Sequence, residues 1–228
     1  MHFWLYQYDG LLPVGAELGQ AMPHTKSPTA ALAAAPTEWR PLVWIDLETT
    51  GFTELSRQMV YRHLILEIGV VVTDCDFNVL AQKNVVVSHP IDTVRERCDA
   101  TVLRMHTDNG LLEEVEGAAV TLAEAEVDIL AWLVELGVAP KSSPLCGNGL
   151  QLDRSFLEAQ MPRLNEQLHY RNLDISSVKE FLKTLSPAFE PPKRRSHRAL
   201  DDILESVDEA RTYRSLIAPA LAEAILRH

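Results

Sequence analysis

The chain has 228 residues, a formal net charge of −11, and apolar and charged fractions that are ordinary for a globular protein. That length fits one domain with an appendage, and the negative charge argues against sequence-independent binding of long nucleic acid, which needs a basic stripe. Three widely spaced cysteines and no membrane-length apolar run predict a reduced, cytoplasmic protein without a zinc site, a disulfide framework or a membrane partner.

The chain begins with a segment unlike the rest. Residues 1–40 hold four prolines, an alanine-rich patch and no sustained periodicity, so we expect a poorly ordered N-terminal extension. Three apolar runs follow, and they predict strands at residues 42–46, 64–74 and 79–88. Because only a short turn separates the last two runs, we expect the three strands to form an antiparallel meander.

Helical patterns dominate the next part of the chain. Residues 92–115 favour short helices, and a capping box formed by Thr121 and Glu124 predicts the start of a longer one, with Gly137 as its C-terminal cap. The apolar residues expected to face the core from this helix are Leu122, Val127, Ile129, Leu130, Leu133, Val134 and Leu136.

The last third of the chain alternates short strands and helices, which indicates a mixed α/β sheet with helices packed on it. Pro162 is expected to stop one of these helices, and Ser177 with Glu180 to cap another. The predicted elements are strands at residues 144–147 and 171–175 and helices at 153–161, 177–185 and 199–216, followed by an amphipathic tail to residue 228.

Two carboxylates end the first predicted strand. Asp46 and Glu48 are two residues apart, so both side chains point to the same face. Acids held together in an apolar setting repel each other and resist desolvation, and a divalent cation would offset that cost. Asp-x-Glu alone is also typical of a strand that simply runs into a polar loop.

Two further clusters carry chemistry-bearing side chains. Asp153 opens a helix after a glycine turn, where an acid can also serve as a plain cap. His197 precedes the final helix and Asp202 lies inside it, a pattern equally compatible with a capping histidine and solvated acids. Asp201 competes with Asp202, since it lies four residues after His197.

Taken together, Asp46, Glu48, Asp153 and Asp202 are four hard oxygen ligands at strand ends and helix starts. Mg²⁺ and Mn²⁺ prefer such ligands. Two such ions about 3.5–4 Å apart can activate water and stabilise the leaving oxygen of an in-line phosphoryl displacement. His197 can take up a proton near neutral pH. The four acids and the histidine therefore predict two-metal hydrolysis of a phosphodiester.

The motifs resemble those of a known superfamily. Asp46-Leu-Glu-x-Thr-Gly, Gly147-Asn-x-x-x-x-Asp-Arg-x-Phe and His197-x-Ala-x-x-Asp are similar to the DEDD exonucleases, in the branch with a histidine base. Within that branch the chain resembles the oligoribonuclease family, through Met105-His106-Thr107 and through Tyr170-Arg171 leading to Asp174-Ile175-Ser176. The resemblance covers residues 42–216.

The resemblance implies a ribonuclease-H-like fold, with a mixed five-stranded sheet flanked by helices, and a homodimer. Residues 41–218 would form the exonuclease domain and 219–228 a C-terminal helical tail. The implied activity is 3′-to-5′ hydrolysis of dinucleotides and very short oligonucleotides to 5′-mononucleotides. The four acids match the metal ligands and His197 the general base, and the family pattern selects Asp202 over Asp201.

The resemblance also implies substrate contacts. Phe52 matches a residue that wedges between bases, where a ring would stack. His106 matches a residue near the 3′ end of the substrate. Tyr170 and Arg171 match residues that the partner subunit offers to the 5′ phosphate, which they would cap. Thr49, Asn148 and Ser176 complete the expected substrate-binding set. Thr49, Phe52 and Gly149 depart from the residues usual in the family, at positions that would affect which nucleotide fits.

Two other functions remain compatible with the sequence. A proofreading or RNA-trimming exonuclease of the same superfamily would accept longer substrates, and Thr49-Thr50 is closer to that type. A nucleic-acid-binding domain without catalysis could keep the fold, although buried acids without a metal would cost it stability. DNA is also an open alternative to RNA, because nothing in the sequence reports on the 2′-hydroxyl.

Overall fold

The computed structural model describes residues 41–51, 60–187 and 197–227. Residues 1–40 and Phe52, which entered the sequence-based predictions, lie outside the described residues. The described strands are β1 (Leu42–Thr49), β2 (Ile65–Thr73), β3 (Val79–Val86), β4 (Pro144–Gly147) and β5 (His169–Asp174). The described helices are α1 (Ile91–Arg97), α2 (Ala100–Asp108), α3 (Leu111–Gly117), α4 (Leu122–Glu135), α5 (Gln151–Gln160), α6 (Pro162–Gln167), α7 (Ile175–Leu185) and α8 (Ala199–Leu226).

The strands form one mixed sheet in the order β3-β2-β1-β4-β5. β1 and β2 are antiparallel, as are β2 and β3, whereas β4 runs parallel to β1 and β5 runs parallel to β4. The predicted meander and five-stranded mixed sheet are thus confirmed. β2 is buried along its whole length, which explains why branched apolar residues fill it apart from Glu67, Gly69 and Thr73.

Helices cover both faces of the sheet. Alternate residues of β1 point to opposite sides, so Val43 and Ile45 join one apolar cluster and Trp44 joins another. The Trp44 cluster is built with α8, through Ile203 and Val207. Asp46 and Glu48 follow Trp44 on that same face, which places them under the start of α8.

Gly69 sets how closely α8 approaches the sheet. It pairs with Asp46 across the β1–β2 ladder, and a Cβ atom at this position would lie 2.5 Å from the carbonyl carbon of Ala199. Only glycine allows the backbone of α8 to pass there. The first turn of α8, which carries Asp202, therefore begins directly beside Asp46.

Several local predictions differ from the structure. In α4 the capping box of Thr121 and Glu124 is present and Gly137 follows the helix with φ of +76°, as expected. Val127 and Val134, however, face solvent, because Ala125 and Glu126 occupy the buried stripe with Ile129 and Leu133. The prediction that Val127 and Val134 face the core was therefore wrong.

Three helix termini also differ. Asp174, rather than Ser177, caps α7, and α5 begins at Gln151 rather than Asp153. Pro162 agrees with the prediction, since α5 ends before it, and it also starts α6 at the first position, where proline needs no hydrogen-bonded N–H. α8 continues to Leu226 with Pro219 inside it, so no break separates the final helix from the predicted tail. Within the described residues, no helix combines the length and apolarity needed to cross a membrane.

Candidate active site

Three carboxylates converge where β1 meets the first turn of α8. Asp46, Glu48 and Asp202 each offer an oxygen atom, and these atoms all lie within 4.8 Å of one another. Asp201, the alternative considered for Asp202, is exposed and does not belong to this group. A set of three hard oxygen ligands at this spacing suits a divalent cation.

Asp153 approaches the same strand from α5. Its Oδ1 accepts a hydrogen bond from the backbone N–H of Leu47 at 3.2 Å, between the two acids of β1. Its negative charge is the largest coulombic contribution that raises the pKa of Asp46. Asp153 lies outside the group of mutually close oxygens but belongs electrostatically to the same site.

Burial and mutual repulsion leave these acids poorly stabilised as anions. Desolvation, then the charges of Asp202 and Glu67, raise the pKa of Glu48 to about 8. Desolvation also raises the pKa of Asp153 to about 7, and it raises that of Asp46 well above its ordinary value. A cation would relieve this repulsion, so the donor set fits the divalent metal that the sequence motifs imply.

His197 lies just before the start of α8, the helix whose first turn carries Asp202. It immediately precedes Arg198, which is the N-cap residue of α8. His197 is exposed, and its backbone has φ of +53°. Asn109 donates a side-chain hydrogen bond to the His197 carbonyl oxygen. A non-glycine residue in the left-handed region needs such support, and values of this kind are frequent at functional sites.

His106 is fully buried below the end of β1. Its Nε2 lies 2.9 Å from the Thr49 carbonyl oxygen and 4.0 Å from Glu48 Oε2. Because a carbonyl oxygen only accepts, Nε2 must carry the proton. Nδ1 is then a bare acceptor in the neutral ring, and no partner for it is found in the described part of the chain. Burial lowers the pKa of His106, consistent with a neutral imidazole.

The other predicted substrate contacts are spread over three elements. The Asn148 amide donates to Glu209 Oε2 of α8 at 3.1 Å, and Ser176 Oγ donates to Asp174 at 2.6 Å. Thr49 is buried at the end of β1, where its Oγ1 accepts from the N–H of Gly51. Asn148 and Ser176 are therefore hydrogen-bonded to acidic side chains of the protein, Glu209 and Asp174.

Tyr170 and Arg171 lie apart from the carboxylates, on the edge strand β5. The Tyr170 residue is 73% exposed, and its hydroxyl accepts from Arg171 Nε at 3.1 Å. The guanidinium also lies 5.5 Å from the centre of the Tyr170 ring. The pair is held in one orientation at the surface of a single chain.

Two acids to which the sequence analysis assigned no role in the site make several hydrogen bonds near it. Glu67 of β2 lies opposite Glu48, and Asp174 ends β5. An acid inside the buried apolar run of residues 64–72 was the signal for Glu67, since a charge is rarely placed there unless it is paired. Asp174 entered the sequence analysis only within the motif Asp174-Ile175-Ser176, without a role of its own.

Comparison with known proteins agrees with the motifs. A family model described as RNase_T, Exonuclease, matches residues 43–210. An oligoribonuclease of Corynebacterium diphtheriae is 43% identical over 176 residues, covering 76% of this chain and 81% of the relative. An oligoribonuclease of Neisseria meningitidis serogroup B is 40% identical over 187 residues, covering 80% of this chain and 96% of the relative.

Solved structures support the fold. Exonuclease I of Methylocaldum szegediense superposes with a TM-score of 0.56 at 16% identity, covering 77% of this chain and 40% of that one. The zinc-bound E. coli exonuclease I complex with single-stranded DNA gives a TM-score of 0.59 at 14% identity, covering 77% and 40%. This chain thus spans about two fifths of those structures. From the family match and the identity to the curated relatives, the chain belongs to the RNase_T exonuclease family and, within it, to the oligoribonucleases, which makes it a 3′-to-5′ exonuclease of short oligonucleotides.

Proposed function

We propose that this exonuclease hydrolyses dinucleotides and very short oligonucleotides to 5′-mononucleotides with two divalent cations, Mg²⁺ or Mn²⁺. The observation that carries the proposal is the convergence of Asp46, Glu48 and Asp202 within 4.8 Å, with Asp153 bound to the same strand. These four side chains would hold the ions. Bound there, the ions would supply positive charge to the scissile phosphate and acidify a water molecule.

In this proposal His197 acts as the general base. It precedes the helix start that carries Asp202, and it is exposed, so it could accept a proton from water and release it to solvent. The hydrogen bond from Asn109 and the fixed start of α8 restrain its backbone. The acids themselves are committed to the cations, which leaves the imidazole as the group able to take the proton.

The 3′ end of the substrate would lie near Thr49 and the neutral ring of His106. Because Nε2 of His106 donates to the Thr49 carbonyl, this histidine holds the end of β1 in place beside Glu48. We propose that Phe52, Asn148 and Ser176 complete the substrate contacts, the last two after exchanging their present protein partners for substrate.

We propose that the active form is a homodimer in which a second copy supplies Tyr170 and Arg171 to the 5′ phosphate. Supporting features are the exposed edge strand that carries this pair and apolar side chains left exposed on α7 and α8. The exposed apolar residues are Phe181, Leu185, Leu216, Ile217, Leu221, Ile225 and Leu226. An apolar groove beside α8, lined in part by Phe77 and Leu221, continues this surface. A wall at the 5′ phosphate would exclude long chains.

The domain division and location are also proposals. Residues 41–218 would form the exonuclease domain, with 1–40 an extension and 219–228 the end of the α8 tail. A cytoplasmic location is supported by three cysteines that form no disulfide.

The test is a length series. Purified protein with Mn²⁺ is given 5′-phosphorylated RNA and DNA of two to ten nucleotides, with Asp202→Ala as the matched control. We expect cleavage that falls steeply with length in the wild type and is absent from the variant. Equal rates at every length would replace the capped site with a broader exonuclease. No cleavage of any substrate would favour a binding domain without catalysis.

A further inference from the structure

The two helices that carry predicted metal ligands at their starts lack N-terminal caps of their own. α5 begins after Leu150 and α8 after Arg198, and neither N-cap residue supplies a side-chain hydrogen bond. Of the other described helices, α2, α4 and α7 have N-cap side chains that accept a backbone hydrogen bond from their own helix, whereas the short helices α1, α3 and α6 have no such cap. The first N–H groups of a helix need partners, so something else must supply them for α5 and α8.

Asp174 holds the turn that leads into α5 from the end of β5. Its Oδ1 accepts from the N–H of Gly149 at 3.0 Å and its Oδ2 accepts from the N–H of Leu150 at 3.2 Å. The same carboxylate caps α7 through the N–H and Oγ of Ser176. One acid therefore joins the starts of two helices to one strand end, and Asp153 lies three residues after Leu150.

Glu67 of β2 caps the first N–H group of α8 itself. It is fully buried, and its Oε2 accepts from the N–H of Ala199 at 3.0 Å. Its Oε1 accepts from Arg198 Nη2 at 2.7 Å and from Asn84 Nδ2 at 2.8 Å. Arg198 also reaches Glu114 of α3 with both terminal nitrogens, so the residue between His197 and α8 is held on two sides.

From these contacts we infer that Glu67 and Asp174 are positioning residues, which set the catalytic side chains from the sheet. This inference rests on the proposed metal-dependent hydrolysis. Asp202 lies three residues after the N–H that Glu67 holds, and His197 lies two before it. A helix start fixed to the sheet fixes the direction in which its first-turn carboxylate points.

The chemistry of these caps makes the inference testable by isosteric change. Each carboxylate oxygen of Glu67 and Asp174 faces at least one N–H or O–H donor. An amide keeps the shape but must turn its NH₂ group towards a donor in either orientation. Glu67→Gln and Asp174→Asn should therefore release the helix starts without creating a cavity.

Thr121→Ala is the matched control. It deletes the capping box of α4, a helix that carries no site residue, and so removes a cap without touching the site. Mn²⁺ binding to the metal-free full chain is measured by electron paramagnetic resonance, beside kcat and KM on a dinucleotide and the unfolding temperature. Asn84→Ala, which removes only one donor to Glu67, is the milder substitute if Glu67→Gln does not fold.

We expect Mn²⁺ affinity to fall about 10- to 100-fold in Glu67→Gln and Asp174→Asn, the usual effect of losing a group that orients metal ligands. Raising Mn²⁺ should restore most of the activity of Asp174→Asn. It should leave a kcat deficit in Glu67→Gln, since His197 is also displaced there. Thr121→Ala should unfold at a lower temperature with unchanged Mn²⁺ affinity and kcat.

Two failures are distinguishable. If the wild type binds Mn²⁺ and cleaves dinucleotides while both isosteric variants match Thr121→Ala, the two acids are structural caps only and the inference is wrong. If the wild type neither binds Mn²⁺ nor cleaves, the proposed function itself fails.

Discussion

Replacing Glu48 with Gln should stabilise the protein in the absence of metal while abolishing its function. Glu48 is 8% exposed beside Asp202, and its pKa is raised from 4.5 to about 8. The folded state therefore holds the proton more tightly than the unfolded state does. The free energy of unfolding therefore falls as pH rises between the pKa of Glu48 in the unfolded state, near 4.5, and its pKa in the folded state, near 8.

The magnitude follows from the pKa difference. At pH 8 nearly all unfolded molecules have ionised Glu48, whereas about half of the folded molecules keep the proton, which costs the metal-free fold about 4 kcal/mol at most. Glutamine keeps the shape and removes the charge. A gain of a few kcal/mol corresponds to a rise in unfolding temperature of roughly 10 °C for a domain of this size.

The assay is thermal unfolding with a chelator at pH 5 and pH 8, for the wild type and Glu48→Gln. We expect the variant to be more stable than the wild type at pH 8 and the two to converge at pH 5. Mn²⁺ should then raise the unfolding temperature of the wild type far more than that of the variant. A variant that is less stable than the wild type at pH 8 without metal would refute the electrostatic reasoning.

Three other predictions concern the proposed general base His197, the proposed 5′-phosphate contact of Arg171 and the core residue Leu133. His197→Ala should lower kcat by roughly 10²–10⁴-fold while Mn²⁺ affinity is retained, and a parallel collapse of metal affinity in calorimetry would instead make His197 a ligand. Arg171→Ala should weaken the preference for dinucleotides in the length series with no change in unfolding temperature, because the side chain is exposed; unchanged length selectivity would remove Arg171 from the 5′ phosphate. Leu133→Ala should cost about 2–5 kcal/mol in denaturant unfolding, because Leu133 is fully buried under the sheet, and a cost below 1 kcal/mol would contradict its place in the core.

Local patterns in the sequence predicted the strands well. The alternation around Asp46 and the apolar run ending at Thr73 depend on neighbours within a few residues, so periodicity alone places them. The capping box at Thr121 is equally local. Helix faces were predicted less well, since the exposed Val127 and Val134 carry apolar side chains that the pattern assigned to the core.

The parts of the site that involve long-range contacts were not visible in the sequence. Glu67 and Ala199 are 132 positions apart, and Asp174 contacts Gly149 across 25 positions. Nothing in the local sequence of α5 or α8 reports that a distant acid holds the start of the helix. The role of Gly69 could not be predicted from the sequence either, because it depends on the backbone of α8 crossing above it.

The most direct measurement is the order of products from a 5′-labelled pentanucleotide incubated with Mn²⁺. Labelled tetra-, tri- and dinucleotides should appear in succession with the wild type, followed by labelled mononucleotide, and none should form with Asp202→Ala. Labelled mononucleotide as the first product would mean attack at the 5′ end. Equal product formation by Asp202→Ala would mean that the converging carboxylates are not the site of hydrolysis.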